Sequence, residues 1–289
     1  MSEVTVIAPG KINLTLDIVG TRPDGYHLLE SIFQSVDICD MVTVRKRLGR
    51  RITLDAPGCD CPVEKNTAYK AAVAFFAYTG LKKGVHLSVT KHIPQQAGMG
   101  GGSADAAGVL VALNKLFKTN LTDEQLCEIG LTVGADVPFC VMGGTAYVTG
   151  IGEGLRPLPP LPDCAIVIAQ PAEGISTKEA YAAVDNADIL ARPDNAAAIA
   201  ALEAGNLQGV CAQAINVFES ATHLEGVKDI RLRMEAFHPL CSQMTGSGSC
   251  VFAVFEDEEA AEACLTALQD AYPTAFICHP CDGITELLA

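Results

Sequence analysis

From Lys11 to Ile18 the chain alternates polar and apolar residues without a break, Lys11-Ile-Asn13-Leu-Thr15-Leu-Asp17-Ile. This is the period of a half-buried strand. The apolar set faces a core, and Lys11, Asn13, Thr15 and Asp17 project together from the opposite face. Further strands are predicted at 41–44, 51–54, 85–89, 165–169 and 250–255. Helices are predicted at 66–78 and 104–117, the second with Ala106, Leu110, Leu113 and Phe117 on one stripe. Ser176-Thr-Lys-Glu179 reads as a capping box opening a helix that carries Tyr181. Two more helices fall at 195–203 and 258–271.

Strands and helices mix in both halves, which predicts an α+β fold without repeats. The densest glycine and proline stretch runs from Gly150-Ile-Gly-Glu-Gly154 through Pro157, Pro159, Pro160 and Pro162. It reads as the connection between two domains, 1–158 and 159–289. A chain of 289 residues accommodates two domains that share a cleft.

Composition narrows the class of ligand. A formal charge of −14 argues against nucleic acid or anionic membranes as general partners. Any anionic ligand therefore needs a local positive field from amides, helix ends and a few placed Lys or Arg residues. The longest apolar stretches, such as 71–77, are far short of a membrane span. The start, Met1-Ser-Glu-Val, lacks the basic region and apolar run of a secretory signal. The twelve cysteines are scattered and are expected as free thiols in a reducing cytoplasm. A metal site at Cys278, His279 and Cys281 is the second reading of that cluster.

Candidate chemistry begins at Gly98-Met99-Gly100-Gly101-Gly102-Ser103, which feeds straight into the helix predicted from Ala104. The glycines permit conformations that a side chain forbids and let amides approach a ligand closely. The helix behind them supplies free N–H groups and the positive end of its dipole, so the segment reads as a phosphate cradle. It is not a Walker loop, because no Lys-Ser or Lys-Thr follows. Nor is it a dinucleotide fingerprint, because Ser103 stands where the third glycine belongs. Three other segments are bland when taken singly. Ala8-Pro-Gly-Lys11-Ile-Asn13 presents a lysine beside a turn, Gly134-Ala-Asp136-Val-Pro138 a turn with one carboxylate, and Met244-Thr-Gly-Ser-Gly-Ser249 a tight strand connection.

In this combination and order the segments resemble the GHMP kinases, the superfamily of galactokinase, homoserine kinase and mevalonate kinase. The resemblance covers nearly the whole chain. It implies an N-terminal domain of the ribosomal protein S5 domain 2 type and a ferredoxin-like C-terminal domain, with ATP and acceptor meeting between them. Ala8-Pro-Gly-Lys-Ile-Asn-Leu, Arg22-Pro-Asp-Gly-Tyr-His27 and Gly134-Ala-Asp-Val-Pro-Phe139 resemble one branch in particular. Its acceptor is the C2 hydroxyl of 4-(cytidine 5'-diphospho)-2-C-methyl-D-erythritol, in the non-mevalonate route to isoprenoid precursors.

For the residues, that resemblance implies Asp136 as the base for the acceptor hydroxyl and Lys11 as the charge beside it. Asn13, on the Lys11 face of the strand, is placed to orient the hydroxyl or the Asp136 carboxylate. Tyr26 and His27 receive the cytosine, with Tyr181 covering its other face. The phosphates lie in the loop 98–103, and Asn66 and Lys91 stand near the adenine. Asp105 reads as a helix-start carboxylate rather than a metal ligand. The loop at Gly246-Ser-Gly248 shapes the acceptor side of the cleft. ATP and Mg2+ are the implied cofactors, with the Mg2+ ligands and the oligomeric state left open. A homoserine or mevalonate type of kinase would keep the glycine loop without needing Tyr26 and His27. A non-catalytic binding protein on the same scaffold would be free to lose Lys11 or Asp136.

Overall fold

Two long antiparallel strands, β1 (Glu3–Thr21) and β2 (His27–Arg47), form the spine of the first sheet in the computed structural model, which describes residues 2–59, 61–189 and 191–287. β3 (Ile52–Asp55), α1 (Thr67–Thr79), β4 (Gly84–Thr90), α2 (Gly101–Phe117), α3 (Asp123–Leu131), α4 (Val137–Met142), β5 (Thr145–Gly150) and β6 (Gly154–Pro157) follow. The far half of β2 pairs with β4 and its near half with β5, so one strand serves two neighbours. The second half holds β7 (Ala165–Ala169), α5 (Thr177–Val184), α6 (Asn195–Glu203), α7 (Leu207–Cys211), α8 (Val217–Thr222) and α9 (Glu225–Glu235). It ends with β8 (Cys241–Met244), β9 (Val251–Phe255), α10 (Glu258–Gln269), β10 (Phe276–Cys278) and β11 (Thr285–Glu286). An antiparallel sheet in the order β10-β7-β9-β8 is built there, and β11 returns to pair with β1.

The alternating stretch lies inside β1, but its polar face is not open to water. Lys11, Asn13, Thr15 and Asp17 are 4%, 0%, 0% and 7% exposed. The second half of the chain covers Asn13, Thr15 and Asp17, while Lys11 is enclosed by Asn13, Phe33 and Asp136. Thr15 Oγ1 donates to Asn195 Oδ1 at 2.6 Å, and Arg192 pairs with Asp17. Gln243 Nε2 donates to the carbonyls of Asn13 and Leu14 at 3.0 and 2.9 Å. Buried polar groups need such partners, so the polar stripe of β1 serves as an interface between the two halves.

Two other expectations shift. α2 starts at Gly101 rather than Ala104, with Gly100 as its left-handed N-cap (φ 69°). The glycines read as loop therefore split between a turn and the first helical turn, and Asp105 sits a turn further in than expected. Gly108 on α2 lets the helix settle on the sheet, since a Cβ there would stand 3.0 Å from Val42 Cγ2. The stretch from Gly150 to Gly154 is the β5–β6 hairpin loop, still within the first sheet. Only the proline segment after it crosses to the second sheet.

Two glycine turns, one from each half, lock together. A Cβ on Gly98 (φ 74°) would lie 2.1 Å from the Thr245 carbonyl oxygen, and one on Gly246 (φ 58°) would lie 2.7 Å from the Gly98 carbonyl oxygen. Gly98→Ala is accordingly expected to cost more than about 3 kcal/mol, since backbone strain and a backbone clash combine. Gly80→Ala has positive φ but open space around it, and should cost only about 1 kcal/mol. Urea unfolding of both variants measures the difference, and equal losses would remove the interlock.

Candidate active site

A cleft of about 1380 Å3 opens between the two halves, lined by β1, the 98–103 turn, the start of α4, the start of α5 and the Gly246–Gly248 turn. Single-ligand pockets run to roughly 300–1,000 Å3, so this one has room for two substrates side by side.

At its floor lies Lys11. Its ammonium donates to Asn13 Oδ1 at 2.7 Å, stands 4.8 Å from the centre of the Phe33 ring and lies 3.9 Å from Asp136 Oδ2. Burial pulls its pKa below the ordinary lysine value, opposed by the charge of Asp136. Asn13 is itself fixed, its Nδ2 donating to Ser31 Oγ at 3.0 Å and its backbone N–H to Thr245 Oγ1 at 3.0 Å. Asn13 thus orients Lys11 rather than the Asp136 carboxylate. Asp136 occupies the N-cap position of α4 yet makes no capping hydrogen bond, which leaves its carboxylate for the cleft. The gap between Lys11 and Asp136 suits a hydroxyl oxygen that bonds to both.

The glycine turn sits directly against this pair. Lys11 N–H donates to the Met99 carbonyl at 3.0 Å, and a Cβ on Gly100 would stand 3.1 Å from Lys11 Cγ. Behind the turn, the first N–H groups of α2, from Gly101 and Gly102, form an anion site of the helix N-terminal kind, while the Ser103 N–H donates to the Gly100 carbonyl at 2.9 Å. Lys91 lies beneath Gly101 and is gripped by Asp40 and Asp105. Asn66 caps α1, its Oδ1 accepting from Ala68 N at 2.9 Å, and lines the same end of the cleft.

Tyr26, His27 and Tyr181 gather at the other end. The Arg22–His27 string is a tight turn between β1 and β2. Arg22 N donates to the Tyr26 carbonyl, Asp24 Oδ1 accepts from Tyr26 N at 3.2 Å, and Gly25 takes φ 87°. The turn lifts Tyr26 to 61% exposure on the cleft lip. His27 stacks on Tyr181 with ring centres 4.5 Å apart, and its Nε2 meets Asp185 Oδ1 at 2.7 Å. Burial first, and the Asp136 charge second, push the Tyr181 phenol up to about 12, so it stays a neutral donor. The face of Tyr181 expected to cover a base is shared here with His27. The Gly246–Gly248 turn lies against Gly98, so it borders the phosphate turn as well as the acceptor side.

Sequence reasoning missed Ser31, Phe33, Asp40 and Asp185. Each is one polar or aromatic residue within a strand, turn or helix end, and no local pattern separates it from its neighbours.

The chain matches the family described as GHMP kinases N terminal domain over residues 66–144 and the GHMP kinases C terminal family over 193–274. A 4-diphosphocytidyl-2-C-methyl-D-erythritol kinase of Clostridium tetani is 40% identical, covering 93% of this chain and 97% of its own. One of Carboxydothermus hydrogenoformans is 43% identical over 87% and 88%. A solved structure of a 4-(cytidine 5'-diphospho)-2C-methyl-D-erythritol kinase superposes with a TM-score of 0.81 at 31% identity, covering 96% of this chain and all of that one (100%). A homoserine kinase from Cytophaga hutchinsonii, at 19% identity and TM-score 0.79, covers 99% and 98% and shares the fold.

The lysine at the cleft floor gives a direct test. In protein labelled with 13C at lysine Cε, Lys11 should titrate below the surface lysines. In Asp136→Asn it should titrate lower still, because the opposing negative charge is gone. An unchanged Lys11 titration in the variant would break the pairing.

Proposed function

The chain belongs to the 4-diphosphocytidyl-2-C-methyl-D-erythritol kinases of the GHMP superfamily, and we propose that it transfers the γ-phosphoryl group of ATP to the C2 hydroxyl of 4-(cytidine 5'-diphospho)-2-C-methyl-D-erythritol. The observation that carries this reading is the Lys11–Asp136 pair, set between the glycine turn on one side and the His27–Tyr181 stack on the other.

Phosphoryl transfer asks a protein mainly for in-line positioning and charge stabilisation. The N–H groups of the glycine turn and the start of α2 hold the phosphates, with Lys91 beneath that turn and Asn66 at the nucleoside end. The acceptor hydroxyl lies between Lys11 and Asp136. Asp136 takes its proton as the O–P bond forms, and Lys11 stabilises the charge that develops on the oxygen. Asn13 keeps the ammonium aimed. Tyr26 offers a stacking face to cytosine at the cleft lip, and His27 and Tyr181 close the inner side. With Nε2 engaged by Asp185, His27 reads the base edge through Nδ1 or its backbone.

Among the described residues no three His, Cys, Asp or Glu side chains are grouped to hold a metal ion. Mg2+ would enter with the phosphates of ATP and would supply charge neutralisation on the transferred group. The passage of the chain out of the first sheet after β6 supports a division into domains 1–158 and 159–289, with β11 returning to pair with β1. Cysteines that are all free support a reducing, cytoplasmic setting.

An ADP-release assay offering the cytidine-linked methylerythritol, homoserine, mevalonate and galactose decides the acceptor. Turnover confined to the first is expected, and turnover of another acceptor without it would overturn the reading. Asp136→Asn should lower kcat by about 10²- to 10⁴-fold while nucleotide binding persists; retained turnover would remove Asp136 as the base. Tyr26→Ala should raise KM for the cytidine substrate and leave KM for ATP unchanged. Equal losses for both would move Tyr26 out of the acceptor site.

A further inference from the structure

The wall beneath the phosphate turn carries an unbalanced charge. One ammonium, Lys91, faces two carboxylates, Asp40 of β2 and Asp105 of α2, the latter at 2.7 Å. One positive against two negative groups leaves a formal negative charge under the first turn of α2, with Lys91 Nζ 3.4 Å from where a Gly101 side chain would begin.

The two carboxylates are not equivalent. Asp40 is fully buried, and its Oδ1 accepts from the backbone N–H of His92 at 2.6 Å and of Ile93 at 2.9 Å. Both of its oxygens are thus engaged, Oδ1 by the two backbone donors and Oδ2 by Lys91. Asp105 is 3% exposed; its Oδ2 takes Lys91, while its Oδ1 has no hydrogen-bond partner. Asp105 and Lys91 both line the cleft with the glycine turn. Burial raises the Asp105 carboxyl, Lys91 opposes this and Asp40 adds to it, and the value rises to about 7. The other titratable groups in its field are the thiols of Cys59 and Cys140, each raised chiefly by burial and therefore neutral. Lys11, across the turn, is engaged by Asn13 and Asp136.

A bare buried carboxylate in the wall of a site for polyphosphate repels the ligand, since like charges in a low-dielectric wall are poorly screened. We propose that Asp105 is the proton-linked residue of the nucleotide site, taking a proton from solvent onto Oδ1 when ATP binds. The proton makes the triad neutral and gives a hydrogen to an oxygen that otherwise has no partner. The inference rests on reading this end of the cleft as the nucleotide site. It makes Asp105 a positioning and charge-setting residue, not one that touches the transferred phosphoryl group.

Titration calorimetry with the Mg2+ complex of a non-hydrolysable ATP analogue, in buffers of different ionisation enthalpy, reads the proton directly. At about pH 7.5 the wild-type protein should take up between roughly half a proton and one. Its Kd for the analogue should rise by up to about tenfold per pH unit above about 7, because the free carboxylate must be protonated anew. Asp105→Asn should show no uptake and a flat pH profile. Wild-type binding with the same enthalpy in every buffer would overturn the inference, and so would uptake that survives in Asp105→Asn. If the variant does not fold, the wild-type buffer series decides alone. Failure of the wild-type protein to bind the analogue at all would overturn the nucleotide-site reading together with the inference.

Discussion

An ammonium group that is almost wholly buried has to be surrounded by groups that tolerate its charge, and around Lys11 much of the molecule is arranged to do so. Asn13 accepts from it, the Phe33 ring lies alongside, and Asp136 supplies the countercharge across a short gap. Each of those partners is in turn held from a different element. Ser31 on β2 and Thr245 beyond β8 fix Asn13, and α4 presents Asp136 at its start. The long hairpin, the start of α4 and the end of the second sheet's β8 thus converge on one side chain. The same convergence suits the ammonium to chemistry, because a reaction in the cleft inherits a cation that needs no reorganisation.

The second half of the chain is required for this arrangement. Its residues bury the polar stripe of β1, and its glycine turn at Gly246 presses on Gly98 so closely that neither position has room for a side chain. A phosphate cradle is normally described by its own glycines. Here one of those glycines answers to the opposite half, which ties the shape of the nucleotide site to the closure of the acceptor side. The His27–Tyr181 stack is a second such tie, joining the start of β2 to α5.

Local patterns carry much of this and fail where the cause is tertiary. The alternation through Lys11 and Asp17 puts four polar side chains on one face, and only the docking of α6, β8 and their loops makes that face interior. The start of α2 lies three residues before the predicted one because Gly101 and Gly102 read as loop, although a glycine N-cap and a glycine first turn serve to expose N–H groups to a ligand. Gly150 to Gly154 looks like a linker because a hairpin and a linker share the same residues. The Arg22–His27 string is legible as a unit, and the turn explains its composition. Arg22 pairs with Asp24 at 2.8 Å, Gly25 supplies the positive φ, and Tyr26 is raised onto the lip. Asp105 is legible as a carboxylate near the phosphates. That Asp40 competes with it for Lys91 is not, because the two aspartates are brought together only by the packing of α2 on the sheet.

The central claim is that Lys11 and Asp136 act on one hydroxyl as a unit, and a double-mutant cycle on single-turnover rates tests it most directly. Groups that act together lose nearly all their effect when either is removed. Lys11→Met, Asp136→Asn and the double variant should therefore transfer phosphate to the cytidine-linked acceptor at similar residual rates. Losses that multiply in the double variant would show two independent contributions and contradict the account.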